Sequence, residues 1–330
     1  MAATRAPDWP AVRLHVVTGK GGVGKTTVAA ALALALAAGG RRSLLVEVEG
    51  RQGIAQLFDS PPLPYEERRI ALASDGGEVY ALSIDPREAL QEYLTSYYHA
   101  GPAGRVLERL GAIEFATTIA PGLRDVLLTG KAYEAVRRRE SGGDRPVYDA
   151  VVMDAPPTGR IVQFLDVNTQ VAGLARSGPV HRQASSIMQL IRSPETAVHL
   201  VSTLEEMPAQ ETIDGARALA EARLPVGGIV VNMVRRSPLR GRDLTAAARG
   251  ELDAAEVAAA LKEVDLPVVW TEALLEEATR QARRVRMERQ VRAALTALHH
   301  PHYELPLVQE GVDLSALYDM ADRLIAQGEA

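Results

Sequence analysis

At 330 residues with 47% apolar content and a formal charge of −5, the chain can bury a substantial core and carries no chain-wide basic footprint for nucleic acid. The absence of cysteine excludes disulfides, thiolate metal sites and cysteine nucleophiles. The N-terminus has no apolar signal region, and the longest apolar run, Val28–Ala38, is too short for a bilayer. The expectation is a cytoplasmic, soluble protein with no integral membrane segment and no nucleic-acid partner.

In chain order, Val12–Thr18 reads as a β-branched strand and Thr26–Ala38 as an Ala/Leu-rich helix closed by Gly39 and Gly40. Between them Thr18-Gly-Lys-Gly-Gly-Val-Gly-Lys-Thr-Thr27 fits G-x-x-x-x-G-K-[ST], a match expected by chance on the order of 10⁻³ times in a chain of this composition. A glycine-rich turn entering a helix presents backbone N–H groups and the helix's partial positive end, a cradle for polyphosphate built from Gly19, Gly21, Gly22, Val23, Gly24, Lys25, Thr26 and Thr27. Lys25 is placed to meet the β/γ-phosphates, and the Thr26 hydroxyl to ligate Mg²⁺. The chain has four lysines among 37 basic residues, and two of them, Lys20 and Lys25, sit in this loop. A compact charge fits a tight anion nest better than a guanidinium does.

Ser43–Glu49 reads as a second strand with Glu47 and Glu49 on one face, either solvated or functional. Its place at a strand's carboxyl end beside the phosphate loop favours function. Residues 50–77 read as loop, Val79–Ile84 as strand, and Asp85-Pro-Arg-Glu88 as a capped helix start. Helical periodicity then continues to Leu110 and again after Ala120-Pro-Gly122. Tyr148–Asp154 reads as a buried strand ending in an acid, followed by Ala155-Pro-Pro-Thr-Gly159. This has the form of a Walker B segment, with Asp154 holding Mg²⁺ through water and the Gly159 N–H approaching the γ-phosphate; a cap or turn role for Asp154 is the plainer alternative. Further strands are expected at Thr196–Ser202, Pro225–Asn232 and Leu266–Trp270, with a helix at Ala209–Ala222.

Residues 240–298 read as helical and arginine-rich, the face from Arg280 to Arg289 being solvated or, secondarily, a partner surface. Proline breaks the spacing in His299-His-Pro-His302, against a metal site. The tail Leu314–Ala330 is amphipathic and acidic, suited to core packing rather than anionic lipid. This βαβ alternation predicts an α/β fold with a doubly wound, mainly parallel sheet. The whole of 1–330 is expected as one P-loop domain, with helical portions at about 86–140, 160–195 and 240–298.

The Lys20-Gly-Gly opening resembles the deviant Walker A loop of dimeric ATPases: arsenite-pump ATPases, tail-anchored-protein targeting ATPases, Min and Par positioning ATPases and nitrogenase iron protein. The arsenite-pump and tail-anchored-targeting branch is the nearest in pattern. Asp154-Ala-Pro-Pro-Thr-Gly159 with the following Phe164-Leu165 is similar to its second switch; Ala81–Pro86, Ala120–Gly122 and Met207–Thr212 are further matches. Ile229-Val-Val-Asn232 resembles the strand whose Asn reads adenine, and Leu305-Pro306-Leu307 the loop that packs on the purine.

The resemblance implies an ATPase binding ATP and Mg²⁺ as a homodimer or a heterodimer with a paralogue, with Lys20 reaching phosphate across the interface and an unidentified protein client. Where the family's first switch reads Asp-Pro-Ala-His-Asn, this chain has Glu49-Gly-Arg-Gln-Gly53, so Glu49 takes the water-positioning place and turnover is expected to be slow. The family's metalloid-binding and zinc-clip cysteines are absent, and Ile161–Glu195 is too compact for its methionine-rich client groove. A Par- or Min-like positioning ATPase and a non-hydrolysing nucleotide-binding scaffold are the alternatives.

Overall fold

The computed structural model describes residues 7–98, 121–174, 179–239 and 241–330. The first strand, β1 (Leu14–Gly19), passes through the phosphate-loop sequence into α1 (Lys25–Ala37), and β2 (Arg42–Glu47) follows. A short helix α2 (Gly53–Leu57) and β3 (Arg68–Leu72) precede β4 (Glu78–Ser83), α3 (Pro86–Tyr98) and α4 (Pro121–Arg137). Then come β5 (Ala150–Asp154), three helices, α5 (Thr158–Leu165), α6 (Val167–Leu174) and α7 (Pro179–Ile191), and β6 (Thr196–Ser202). The last part holds α8 (Glu206–Glu221), β7 (Val226–Val234), a helical excursion of α9 (Gly241–Arg249), α10 (Ala254–Glu263) and α11 (Thr271–Thr296), then β8 (His302–Pro306) and α12 (Leu314–Gln327).

The eight strands form one sheet in the order β3-β4-β2-β5-β1-β6-β7-β8, parallel except where β3 runs against β4. Adjacent strand residues point to opposite faces, and each face has its own core. Val17, Leu45, Val152 and Val201 meet α1 and, through it, α12; their neighbours Val16, Leu44, Val151 and Leu200 meet the helices of the other face. Nearly every residue of α1 is buried because it lies between the sheet and Leu317, Met320 and Leu324 of α12. That accounts for an Ala/Leu helix with no polar face: it is enclosed all round. Asp85 caps α3 as expected, its side chain accepting from the Arg87 and Glu88 N–H groups.

Four readings of the sequence need correction. Residues 50–77 are not all loop, since α2 and β3 lie there; β3 is short, half exposed and the sheet's edge, so its pattern is weak. Leu266–Trp270 is not a strand: Val268–Trp270 is a 3₁₀ turn on the surface. The Leu305-Pro306 segment belongs to β8, the opposite edge, where a terminal proline leaves no ladder bond unmade. The strands expected to end at Glu49 and to start at Tyr148 are trimmed to Glu47 and Ala150. The periodicity through Leu110 and the residue Ala120 lie outside the described residues. No helix among the described residues is long and apolar enough to cross a membrane.

A buried polar cluster crosses the sheet on the α12 side. His15 Nδ1 lies 3.1 Å from His199 Nε2 with the rings stacked, and His199 Nδ1 lies 2.8 Å from Glu329 Oε1. Trp9 Nε1 donates to Glu329 and to the Tyr303 hydroxyl, which donates to Asp8. Burial, with His199 as the next cause, holds His15 well below the usual imidazole range, so it stays neutral.

The sheet's approach to α1 leaves no space at Gly77, where a Cβ would stand 1.9 Å from the Ala37 carbonyl oxygen and 3.1 Å from that of Arg41. Both are backbone atoms and cannot step aside. We expect Gly77→Ala to lower unfolding free energy by about 2–3 kcal/mol. Gly143→Ala, with nothing nearer than 3.9 Å, should stay within about 0.5 kcal/mol of wild type in the same urea titrations.

Candidate functional site

The phosphate loop stands at the carboxyl end of β1, the central strand, where order in the sheet reverses between β5 and β6. Gly22 and Gly24 have φ of 89° and 84°, left-handed backbone that a side chain would strain, and α1 begins at Lys25. The loop is pinned from three directions. The Thr18 hydroxyl donates to the Pro156 carbonyl at 2.7 Å, Gly19 sits against the Val201 carbonyl, and the Asn232 amide donates to the Val23 carbonyl at 2.9 Å. A Cβ on Gly24 would meet that same amide at 2.4 Å, whereas Gly21 and Gly22 face open space. The space over Gly21 and Gly22 is thus open, which an anion approaching their backbone requires.

Inside this loop Lys25 is buried, and Thr26 donates its hydroxyl to Asp154 Oδ2 at 2.7 Å. Asp154 ends β5, in register with Val17 of β1 on one side and Glu47 of β2 on the other. Glu47 Oε1 accepts the Gly53 N–H at 2.9 Å, at the start of α2. Each acid retains one buried oxygen, Asp154 Oδ1 and Glu47 Oε2, with no hydrogen-bond partner. Burial pushes the Asp154 carboxyl up to about 6, with Glu47 and Glu49 adding to the rise and Thr26 and Lys25 opposing it. Burial likewise raises Glu47 against the pull of the Gly53 hydrogen bond.

Two unpartnered carboxylate oxygens held out of water beside a threonine hydroxyl are a donor set for a hard cation, and that fits Mg²⁺. Among the described residues there is no cluster of three or more His, Cys, Asp or Glu able to hold a metal alone. The cation's remaining ligands would have to be phosphate oxygens and water.

The structure thus brings Lys25, Thr26 and Asp154 together and leaves the other expected residues at distinct places. Glu49 lies just past β2, partly exposed, 3.7 Å from Arg51. Lys20 points to Glu211 of α8, 3.9 Å away on a partly exposed surface. Thr27 is the third residue of α1, and Gly159 is the second of α5, open to space. Asn232 has one N–H committed to the phosphate loop. Its neighbour Met233 and the later Leu307, whose N–H bonds to the Val234 carbonyl at 3.0 Å, line a cavity of about 670 Å³ with Leu204, Met287 and Arg284. Pro306 lines the adjoining cavity of about 590 Å³ with Arg235, Arg236 and Arg323. The sequence puts Glu47 and Glu49 together on one face and gives Glu49 the water-positioning role, without setting Glu47 beside Asp154. The signal lies in the position of Glu47 opposite the strand-terminal Asp, but only pairing of β2 with β5 reveals it.

A family model described as anion-transporting ATPase matches residues 12–193, a span that holds the phosphate loop, both glutamates and Asp154. The chain is 54% identical over 326 residues to ATPase BagA of Mycobacterium tuberculosis, covering 97% of this chain and 96% of that protein. It is 26% identical over 251 residues to the arsenical pump-driving ATPase of Acidiphilium multivorum, covering 70% of this chain and 41% of that one. With ATPase GET3 of Podospora anserina it shares 30% identity over 165 residues, 48% of this chain and 43% of the other.

The raised Asp154 carboxyl makes a signed prediction. An acid that binds its proton more tightly in the folded than in the unfolded chain weakens the fold above that pKa. The fold regains the loss as pH falls from about 6 towards 3.8. Asp154→Asn should therefore stabilise the nucleotide-free protein by up to about 3 kcal/mol at pH 8 and by about half that at pH 5. Urea unfolding at the two pH values measures it; an Asn variant no more stable than wild type at pH 8 would show that the carboxylate is not held out of water.

Proposed function

This chain belongs to the anion-transporting ATPase family and is an ATPase. From that premise we propose that residues 1–330 act as one nucleotide-switched unit that hydrolyses Mg-ATP, dimerises in the ATP state and works on a protein client. The observation that carries this reading is the 2.7 Å bond from Thr26 to a desolvated Asp154, with Lys25 buried alongside.

In this reading the N–H groups of Gly21, Gly22, Val23 and Gly24 receive the phosphates and Lys25 Nζ balances charge at the β/γ position, acting most strongly where charge develops in the transition state. Thr26 and Asp154 would hold Mg²⁺, whose chemistry is to neutralise the phosphate oxygens, while Glu47 adds a second buried carboxylate beside them. Glu49, less buried, orients the attacking water, and the Gly159 N–H faces the γ-phosphate. Asn232, Pro306 and Leu307 flank the base. Lys20 leaves its contact with Glu211 to reach the phosphates of a partner subunit, a copy or a paralogue. An exposed ion pair of this kind holds by about 0–1 kcal/mol, so it does not obstruct that movement.

Three variants test the assignment by calorimetry and single-turnover kinetics. Lys25→Ala should lose about 2–4 kcal/mol of stabilisation and with it useful Mg-ATP affinity, while melting like wild type. Glu49→Gln should still bind ATP but turn over about 10²–10⁴-fold more slowly, and should accumulate as a closed dimer in sedimentation. Glu47→Gln should instead shift the magnesium dependence. Wild-type turnover in Glu49→Gln would transfer the water-orienting role to Glu47.

A further inference from the structure

Among the described residues, half of the exposed large apolar side chains lie within eleven consecutive positions, 264–274, at the turn joining α10 to α11. Val264 is 64% exposed, Val269 82% and Trp270 49%, with Leu266, Val268 and Leu274 beside them. Isolated exposed apolar residues need no explanation, but a contiguous group is uncommon on a monomer, and one of several hundred Å² is commonly a binding surface. Leu266–Trp270 reads in sequence as a strand, and in the fold it is exposed and holds a 3₁₀ turn instead. A small core of Leu244, Ala247 and Ala282 holds α9 against α11, and that core leaves the tip uncovered. The tip shares no residue with the phosphate site.

The charge around the tip selects what covers it. Between residues 260 and 279 the chain places five carboxylates and a single cation, Lys262. Glu263, Asp265, Glu272 and Glu276 are exposed and make no ion pair among the described residues. From 280 to 292 the same helix reverses sign, with six arginines and one acid. That basic half does not suit the tip of a second copy: Arg283, Arg286 and Arg289 are exposed, but Val285 and Val291 of the same stretch are packed on their own chain, so it offers charge without a free apolar face. Two tips face to face would oppose carboxylates, and anionic lipid would be repelled for the same reason.

We propose that the α10–α11 tip is a docking surface for a basic amphipathic helix of another protein. Trp270 and Val269 anchor its apolar face, and the four unpaired carboxylates meet its lysines or arginines. An aromatic anchor surrounded by a charged rim is the arrangement in which a few residues dominate binding while the rim sets orientation and rate. Apolar anchors at helical spacing are the recognition mode such a surface fits.

The test uses the full chain and fluorescence anisotropy with three labelled fourteen-residue peptides: Leu/Lys at helical spacing, Leu/Glu at the same spacing, and the Leu/Lys composition scrambled. The ordered Leu/Lys peptide should bind at least tenfold tighter than either control and weaken with added salt. Val264→Asp with Val269→Asp should weaken it at least tenfold, and, since both positions are exposed, melting and ATP turnover should be unchanged. Equal binding of the Leu/Glu peptide, or undiminished binding by the double variant, would overturn the proposal. So would sedimentation showing self-association that the double variant abolishes, which would assign the tip to a second copy. Vesicle binding lost in that variant would assign it to lipid and overturn the proposal equally.

Discussion

The bond from the Thr26 hydroxyl to the Asp154 carboxylate joins the first turn of α1 to the end of β5, and much of the architecture is arranged so that it can form. It requires β5 beside β1 in register, with Asp154 level with Val17. It requires α1 to start abruptly from a left-handed glycine, so that Lys25 and Thr26 turn inward together. And it requires that helix to be enclosed, because a first turn free to fray would not hold a hydroxyl against a buried acid. The Ala/Leu composition of α1 and its cover by α12 follow from that requirement.

The electrostatics of the site are unbalanced on their own. Lys25 is the buried cation, whereas Asp154 and Glu47 are both out of water and Glu49 stands close by. Two of these acids are held above their ordinary range, chiefly because burial penalises their charged form. A triphosphate arriving alone would add to the excess. On the proposed reading, charge balance favours a nucleotide that arrives with a divalent cation over one that arrives alone.

Much of this was legible in the sequence because it depends on local spacing. The glycine pattern, the lysine after Gly24 and the acid at the end of an apolar strand are each set within ten residues, and the strand and helix around them have strong periodicity. What escaped depends on who neighbours whom. Glu47 and Glu49 share a face by parity, yet only β2 pairing with β5 and the N–H of Gly53 decide which one is buried beside Asp154. The edge strands β3 and β8 are short, and one ends in proline, so neither has a strong pattern. Val268-Val-Trp270 was misread for the opposite reason: its composition is that of a core strand, and composition does not report that no neighbour covers it. Asn232 was assigned by likeness to the base, while its amide also braces the loop through Val23.

The cluster of Trp9, His15, His199, Tyr303 and Glu329 bears on how the protein is made. Trp9 and Glu329 are 320 residues apart, and a ribosome adding about 5–20 residues per second leaves on the order of tens of seconds between them. For most of that interval β1, the strand from which the phosphate loop springs, is already made while Tyr303 and Glu329 of the cluster are not. The enclosure of that cluster is completed last, when Glu329, just past α12, reaches Trp9 and His199.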